Sequence, residues 1–386
     1  MRYIGRLFRI IVGLVFVFSG FVKAVDPWGT AYKITEYLGA FDLSSLIDFF
    51  PPLPIFLSVI LCSLEFILGI VFLSGYLKKT SSLLVGLMML FFTILTLIDA
   101  LTNKVSDCGC FGDAILLTNW QTFWKNIVLD ILLIISFIFD DFMIKRNTTN
   151  KRNSILFSLI VALLVLCFSI RNAVYEPVID FRPWAKGNRM VPKLEDQKAP
   201  INYATYKNLN TNEEREFSMD ELMEEYSKDT TFYSSWQWIS SRTLSSNTIS
   251  ADGFSMIGIL GTEDKAFEFL SHQGISFIFA INDLSSLSKE IINKLSDFEK
   301  KASGAGFQTA IITSSQQNNW KDFIKNNNWE NVDIYSTDDK AIKTMLRSKA
   351  GVVMLNNGVV EEKWSYRALP SFEKVLKKIE KKEKKK

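Results

Sequence analysis

The sequence predicts an α-helical membrane bundle of about five transmembrane helices, followed by an α/β domain outside the lipid. Three observations carry this. In a chain of 386 residues that is 48% hydrophobic, residues up to about 175 are mostly apolar and the remainder is polar and charged. The apolar part breaks into runs near the roughly 20 residues that a spanning helix needs. Beyond about residue 250, short β-rich runs alternate with amphipathic stretches and end in a hairpin signal.

The first apolar run, residues 10–22, follows Arg2, Arg6 and Arg9, and reaches spanning length only if Arg9 and Lys23 snorkel outward at its ends. Its basic start and short apolar centre also suit a signal peptide ending near Ala24, but Lys23 beside that position argues for retention. Residues 41–50 mix apolar side chains with Asp42 and Asp48 before Pro51-Pro52, which predicts a short interfacial helix. The second run, 54–77, carries Glu65 as its sole charge; the third, 81–98, is uncharged and stops at Asp99. The fourth, 120–139, carries Lys125 and Asp130 and opens with Trp120, Phe123 and Trp124, aromatic residues suited to a membrane interface. The fifth, 154–170, closes on Arg171.

Charge sets the orientation. Arg2, Arg6, Arg9, Lys78, Lys79, Lys145, Arg146, Lys151 and Arg152 fall on one side, and only Lys23, Lys33, Lys104 and Lys125 on the other. The basic side is expected in the cytoplasm. A bacterial inner-membrane protein would then have its N-terminus inside, with the loop near residue 110 and everything after about 172 in the oxidising periplasm. The lipid bilayer is the expected partner. A net charge of +3, small and mixed, gives no pointer to a nucleic-acid partner, and the basic tail 377–386 suits a solvated helix end.

Four cysteines, all in the apolar half, are too few for a disulfide framework. Two stand in Asp107-Cys108-Gly109-Cys110-Phe111-Gly112-Asp113, whose glycines and aspartates predict a turn between two spanning helices. A pair one residue apart closes a tight, reducible ring in an oxidising space, which points to redox exchange; the alternative is a static loop staple. Metal binding is a poor alternative, because His272 is the only histidine and no second cysteine pair exists. At about 1.5 Å per residue, Cys62 lies roughly 12 Å below the outer boundary and Cys167 within roughly 5–8 Å of it. Cys62 is a candidate resolving thiol or a small apolar filler, and Cys167 a filler. Glu65, on the same helix face as Cys62, and Asp130 both fall near the midplane. Acids at that depth are candidate proton carriers, or polar packing partners of Lys125, Asn126, Thr93 or Thr96. The candidate catalytic set is therefore Cys108, Cys110, Cys62, Glu65 and Asp130.

The Cys-Gly-Cys-Phe-Gly loop before a spanning helix, Ser19-Gly20 with Lys23, and Glu65 with Gly69 and Gly75 resemble the DoxX and MauE family of small membrane proteins. The resemblance covers about residues 3–140. It implies a four-helix membrane module associated with redox chemistry. MauE-like members are assigned a role in disulfide formation or electron delivery during maturation of methylamine dehydrogenase, and DoxX-like members one in a quinone-linked oxidoreductase. Carried over, Cys108 and Cys110 form the redox pair, with a quinone as electron acceptor and a periplasmic protein thiol or disulfide as partner. The expected organisation is a module over 1–140, a fifth helix over 141–175, a linker and unassigned region over 176–250, and a domain over 251–386.

Pro177, Pro183, Pro192 and Pro200 suit an extended linker over the membrane surface. Beyond it, strands are expected at 256–260, 275–281, 307–312 and 332–335, and helices at 284–302, 320–326 and 340–348. A hairpin follows, 351–355 with 359–365 across Asn356-Asn357-Gly358, then a last helix near Pro370. This order is similar to the thioredoxin fold over about 250–380. Two departures matter. Asn282-Asp283-Leu284-Ser285-Ser286 stands where the Cys-x-x-Cys pair belongs, and Lys349-Ala350 where a cis-proline belongs. A thioredoxin-like domain lacking its cysteine pair would position partners or support the fold, with His272 a surface or core residue. The leading reading is a periplasm-facing thiol/disulfide redox module. The competing one is a non-catalytic assembly or scaffold protein whose outer domain binds a partner. A transporter using Glu65 and Asp130 has less support, since no internal repeat suggests alternating access.

Overall fold

The structure, a computed structural model, describes residues 2–74, 77–105, 109–139, 151–192, 201–209, 211–228, 232–244, 253–258, 263–315, 320, 323–324, 329 and 332–384. It divides into two compact units. The first is Met1–Ala185 with Thr344–Lys349 and Trp364–Pro370; the second is Lys186–Lys343 with Ala350–Lys363 and Ser371–Lys386.

The first unit contains α1 (Arg2–Val25), α2 (Pro27–Ala40), α3 (Ser45–Phe49), α4 (Leu53–Ser74), α5 (Lys78–Thr102), α6 (Asn119–Phe139) and α7 (Lys151–Val174). Among the described residues five helices, α1, α4, α5, α6 and α7, are long and apolar enough to cross a membrane. The inward faces of α1, α4, α5 and α6 close on Val12, Phe16, Phe72, Met89 and Leu133, and α7 sets Val165 against Ala24 and Cys62. Their outward faces stay apolar, with Leu14, Leu87, Ile134 and Leu163 exposed, as contact with lipid requires. Helix α1 lies centrally and packs against α4, α6 and α7. It approaches α4 closely because both present glycine: a Cβ on Gly20 would stand 2.4 Å from the Phe66 nitrogen, and one on Gly69 2.7 Å from the Val17 nitrogen.

Two details at the ends of α1 differ from expectation. The Arg9 guanidinium donates to the carbonyls of Phe72 (2.9 Å) and Leu73 (3.3 Å), satisfying groups near the end of α4. Lys23 does not snorkel outward: it is 5% exposed. The chain beyond it folds back over it as α2, a helix missing from the sequence reading although its start is signalled. Asp26 caps it, accepting from the Gly29 nitrogen at 3.1 Å, and Pro27 opens it. The short helix expected within 41–50 is α3.

The second unit holds two sheets. Strands β1 (Ile201–Asn208), β2 (Glu214–Ser218) and β3 (Trp236–Leu244) form an antiparallel sheet of order β2-β1-β3, accompanied by α8 (Met219–Lys228) and α9 (Phe232–Ser235). Its core is Tyr206, Phe217, Leu222 and Phe232. The larger sheet contains β4 (Ile257–Gly258), β5 (Ile275–Ile281), β6 (Gln308–Thr313), β7 (Asp333–Ser336), β8 (Ala350–Asn356) and β9 (Val359–Ser365) in the order β4-β7-β6-β5-β8-β9. Strand β5 lies between parallel β6 and antiparallel β8, and its run Phe277 to Ile281 is wholly buried, as a central strand covered on both faces should be. Helices α10 (Ala266–Leu270), α11 (Lys289–Gly304), α12 (Asp339–Met345) and α13 (Phe372–Glu383) complete the unit. The helix expected at 284–302 begins as a 3-10 turn, Leu284–Ser286, before α11 starts. The helix expected at 320–326 lies largely outside the described residues. Within the described part of the proline-bearing stretch, Trp184 and Met190 are fully buried, and Gly187 and Met190 donate backbone bonds to Val360 and Gly358 at 2.7 and 2.8 Å.

Candidate functional site

The cysteine loop closes one end of the bundle. Gly109 and Gly112 hold φ of 62° and 51°, a region that favours glycine, and the Gly112 nitrogen donates to the Gly109 carbonyl at 3.0 Å. The expected turn is therefore formed over these residues; Asp107 and Cys108 lie outside the described ones, as does Gly75. The loop is seated on α1 and α6. The Ser19 hydroxyl donates to the Cys110 carbonyl at 2.6 Å, and the Phe111 ring stands 5.5 Å from that of Phe18. Lys125 of α6 sets its ammonium 4.7 Å from the centre of the Phe111 ring, a cation–π contact.

Beside the loop lies a buried ion pair. Lys23 Nζ donates to Glu65 Oε2 at 2.7 Å, with both side chains about 5% exposed. Lys23 also stands 5.2 Å from the Phe92 ring centre. Two cavities meet here. The smaller, about 20 Å³, is lined by Ser19, Lys23, Glu65, Cys110 and Asn126 among others, and has room for one water. The larger, about 400 Å³, is bounded by Lys23, Tyr37, Phe41, Phe91, Phe92 and Cys110 among others. Its wall is predominantly apolar, and the Tyr37 hydroxyl on it donates to the buried Asp99.

Of the five candidates, the described structure brings Cys110 and Glu65 to one cavity. Cys62 is fully buried against Ala24 and Val165, with its sulfur 3.7 Å from Ser58 Oγ and 3.8 Å from Thr30 Oγ1, and it lines neither cavity. Cys167 is exposed on α7. Asp130 accepts from Thr93 Oγ1 at 2.7 Å and also lines neither cavity, while Asn126 donates to Thr96 Oγ1 at 3.2 Å. What the sequence reading missed was the pairing of Lys23, expected to snorkel outward, with Glu65. Its signal was present: a lone cation at the end of an apolar run, to be matched with a lone acid within another.

A second ionic group belongs to the same unit. Arg347 bridges Asp113 of the loop (2.6 Å) and Asp26, the cap of α2 (2.7 Å). Burial alone would raise the Asp26 carboxyl, but the guanidinium charges of Arg347 and Arg182 outweigh it and hold Asp26 below the ordinary aspartate value. Arg182, buried in turn, pairs with Asp180 (2.7 Å) and Glu176 (3.2 Å).

Residues 1–139 match the family model for methylamine utilisation protein MauE. This part of the chain is similar to the MauE family of membrane proteins. The MauE match takes in α1 to α6, hence the cysteine loop and the Lys23–Glu65 pair, and ends before α7. No curated protein and no solved structure matches the chain.

Proposed function

We propose that the chain is a MauE-type thiol/disulfide redox module of a bacterial inner membrane, acting at Cys108 and Cys110 on the periplasmic side. The observation that carries this reading is the meeting of Cys110 with the Lys23–Glu65 pair and with a large apolar cavity. One thiolate of a partner dithiol attacks the Cys108–Cys110 disulfide to form a mixed disulfide, and the partner's second thiol then displaces the loop sulfur, leaving the partner as a disulfide and the loop as a dithiol. The partner loses two electrons and two protons, and the loop pair gains them. The Lys23 cation beside Cys110 favours the thiolate that must leave and later attack. Glu65, held by Lys23, is a proton acceptor reached through the small cavity.

Re-oxidation requires a two-electron, two-proton acceptor. The large cavity, apolar, aromatic and walled by Cys110, fits a lipid-soluble quinone, which when bound would supply that electron sink and leave as the quinol. Phe91, Phe92 and Tyr37 would hold its ring, and Lys23 would offer a donor to its oxygen. Cys62, enclosed by Ser58 and Thr30 away from both cavities, takes the packing role in this reading. In the second unit, parallel β5 and β6 beside antiparallel β8 and β9 support a thioredoxin-like reading. Asp283 caps a turn where that family has cysteines, so the unit's proposed task is to position partners.

The test is to trap the in-cell state of Cys108 and Cys110 with a membrane-impermeant thiol reagent, with and without reductant, and to seek a mixed disulfide in Cys110→Ser. Cycling and a trapped partner are expected. Permanent oxidation with no trapped partner would leave the scaffold reading instead. Labelling only after the membrane is breached would overturn the topology.

A further inference from the structure

The cysteine loop carries a carboxylate, Asp113, whose partner lies 234 positions later in the chain. Arg347 stands on Thr344–Lys349, the segment that belongs to the first unit. Its side chain is 6% exposed while that of Asp113 is 39% exposed, so a largely buried guanidinium reaches out to a loop residue. One nitrogen, Nη2, bonds both Asp113 Oδ2 at 2.6 Å and Asp26 Oδ2 at 2.7 Å. Nε bonds the two Asp26 oxygens at 2.8 and 3.0 Å. The residue is itself fixed: its backbone nitrogen donates to Glu176 Oε1 at 3.0 Å, and its guanidinium lies 5.3 Å from the centre of the Tyr32 ring.

The two aspartates mark the two parts of the site. Asp26 directly follows α1, three residues beyond Lys23; Asp113 follows Cys110 by three residues. Joining them sets the loop against the end of the helix that carries the buried cation. Ser19 holds the loop at the Cys110 carbonyl and Phe18 at the Phe111 ring, while Arg347 bonds the carboxylate of Asp113. A lysine would supply the charge without the fork, and a single ammonium does not reproduce this two-carboxylate geometry.

We infer that Arg347 is a positioning residue for Cys110, acting through Asp113 and Asp26 to set where that thiol lies relative to Lys23 and Glu65. The inference rests on the redox reading for its purpose, though not for its geometry.

Two measurements separate the two. With Cys62, Cys108 and Cys167 replaced by alanine or serine in the full chain, the rate at which a hydrophilic maleimide labels Cys110 in native membranes reports loop position alone. Arg347→Gln and Asp113→Asn are each expected to change that rate at least about fivefold, and the double variant no further than Arg347→Gln alone, since that variant already breaks the link to Asp113. Arg347→Lys should fall between. With both loop cysteines present, the equilibrium of their disulfide against dithiothreitol should shift by a similar factor in the same variants. Labelling at the parental rate in Arg347→Gln, or single effects that multiply in the double variant, would overturn the inference. If Arg347→Gln does not accumulate, Arg347→Lys and Asp113→Asn decide on the same terms. A disulfide that forms in no variant would defeat the redox reading while the labelling rates still judge the clamp.

Discussion

Replacing Glu65 with leucine removes the counter-charge of a lysine that is nearly closed off from solvent. The Lys23–Glu65 contact is 2.7 Å, with side chains 6% and 4% exposed. Breaking such a pair from one side leaves an uncompensated buried charge, at a cost of about 3–5 kcal/mol. At about 1.4 kcal/mol per tenfold, that lowers the folding equilibrium roughly 100- to 4,000-fold. Replacing both partners is a different perturbation. Lys23→Met with Glu65→Leu removes two desolvated charges and refills their volume with apolar atoms, and such swaps range from neutral to stabilising by about 1–4 kcal/mol. The ordering, with Glu65→Leu far below the parent and the double variant near or above it, is the expected outcome. An SDS titration of the protein in detergent micelles, followed by tryptophan fluorescence, measures it. A cost below about 1 kcal/mol for Glu65→Leu, or a double variant no more stable than that single one, would refute the claim that these two residues form a buried, desolvated pair. The same proteins test the chemistry, because the double variant should fold yet lose thiol exchange at Cys110.

Gly20→Leu places side-chain atoms where the Phe66 backbone already stands, forcing α1 from α4; a loss of at least about 1–3 kcal/mol is expected in the same titration. Asp26→Asn tests the ionic group by pH. The folded Asp26 carboxyl sits below its unfolded value, so the parent's stability from it is present above the unfolded value near pH 4 and is lost as pH falls through the lower folded one. Melting curves recorded from pH 6 down to pH 2 should therefore fall more steeply for the parent than for Asp26→Asn. In the second unit, Phe217→Ala removes a 1% exposed ring that packs against Tyr206, Phe232 and Trp236. Hydrogen exchange should show lost protection across residues 201–244, with protection kept in β5 and β8; uniform loss would show that the two sheets unfold together.

Much of the architecture was legible because the signals are local. A run such as 81–98, apolar and uncharged, has one stable solution in lipid, a helix that satisfies its own backbone. Strand β5 declares itself by an unbroken apolar run, and the β8–β9 hairpin by Asn357 and Gly358, which hold φ of 50° and 73° in the turn. The three-stranded sheet did not show, because its strands Ile201–Asn208 and Glu214–Ser218 carry mostly polar residues and only one small aromatic cluster marks their buried side.

The site divides along the same line. The sequence by itself determined that a cysteine loop closes one end of a helical bundle, and that an acid lies within the second spanning helix. Only the tertiary structure decided that Lys23 faces inward. The end of α1 is covered, with Trp28 donating to the Ala173 carbonyl and Asn172 to that of Ala24, and the largely buried ammonium turns to Glu65, 42 positions away. Only the tertiary structure brought Arg347 to Asp26 and Asp113. Ion pairs between distant segments leave no periodic trace, since charge complementarity depends on which residues the fold makes neighbours and not on their order in the chain.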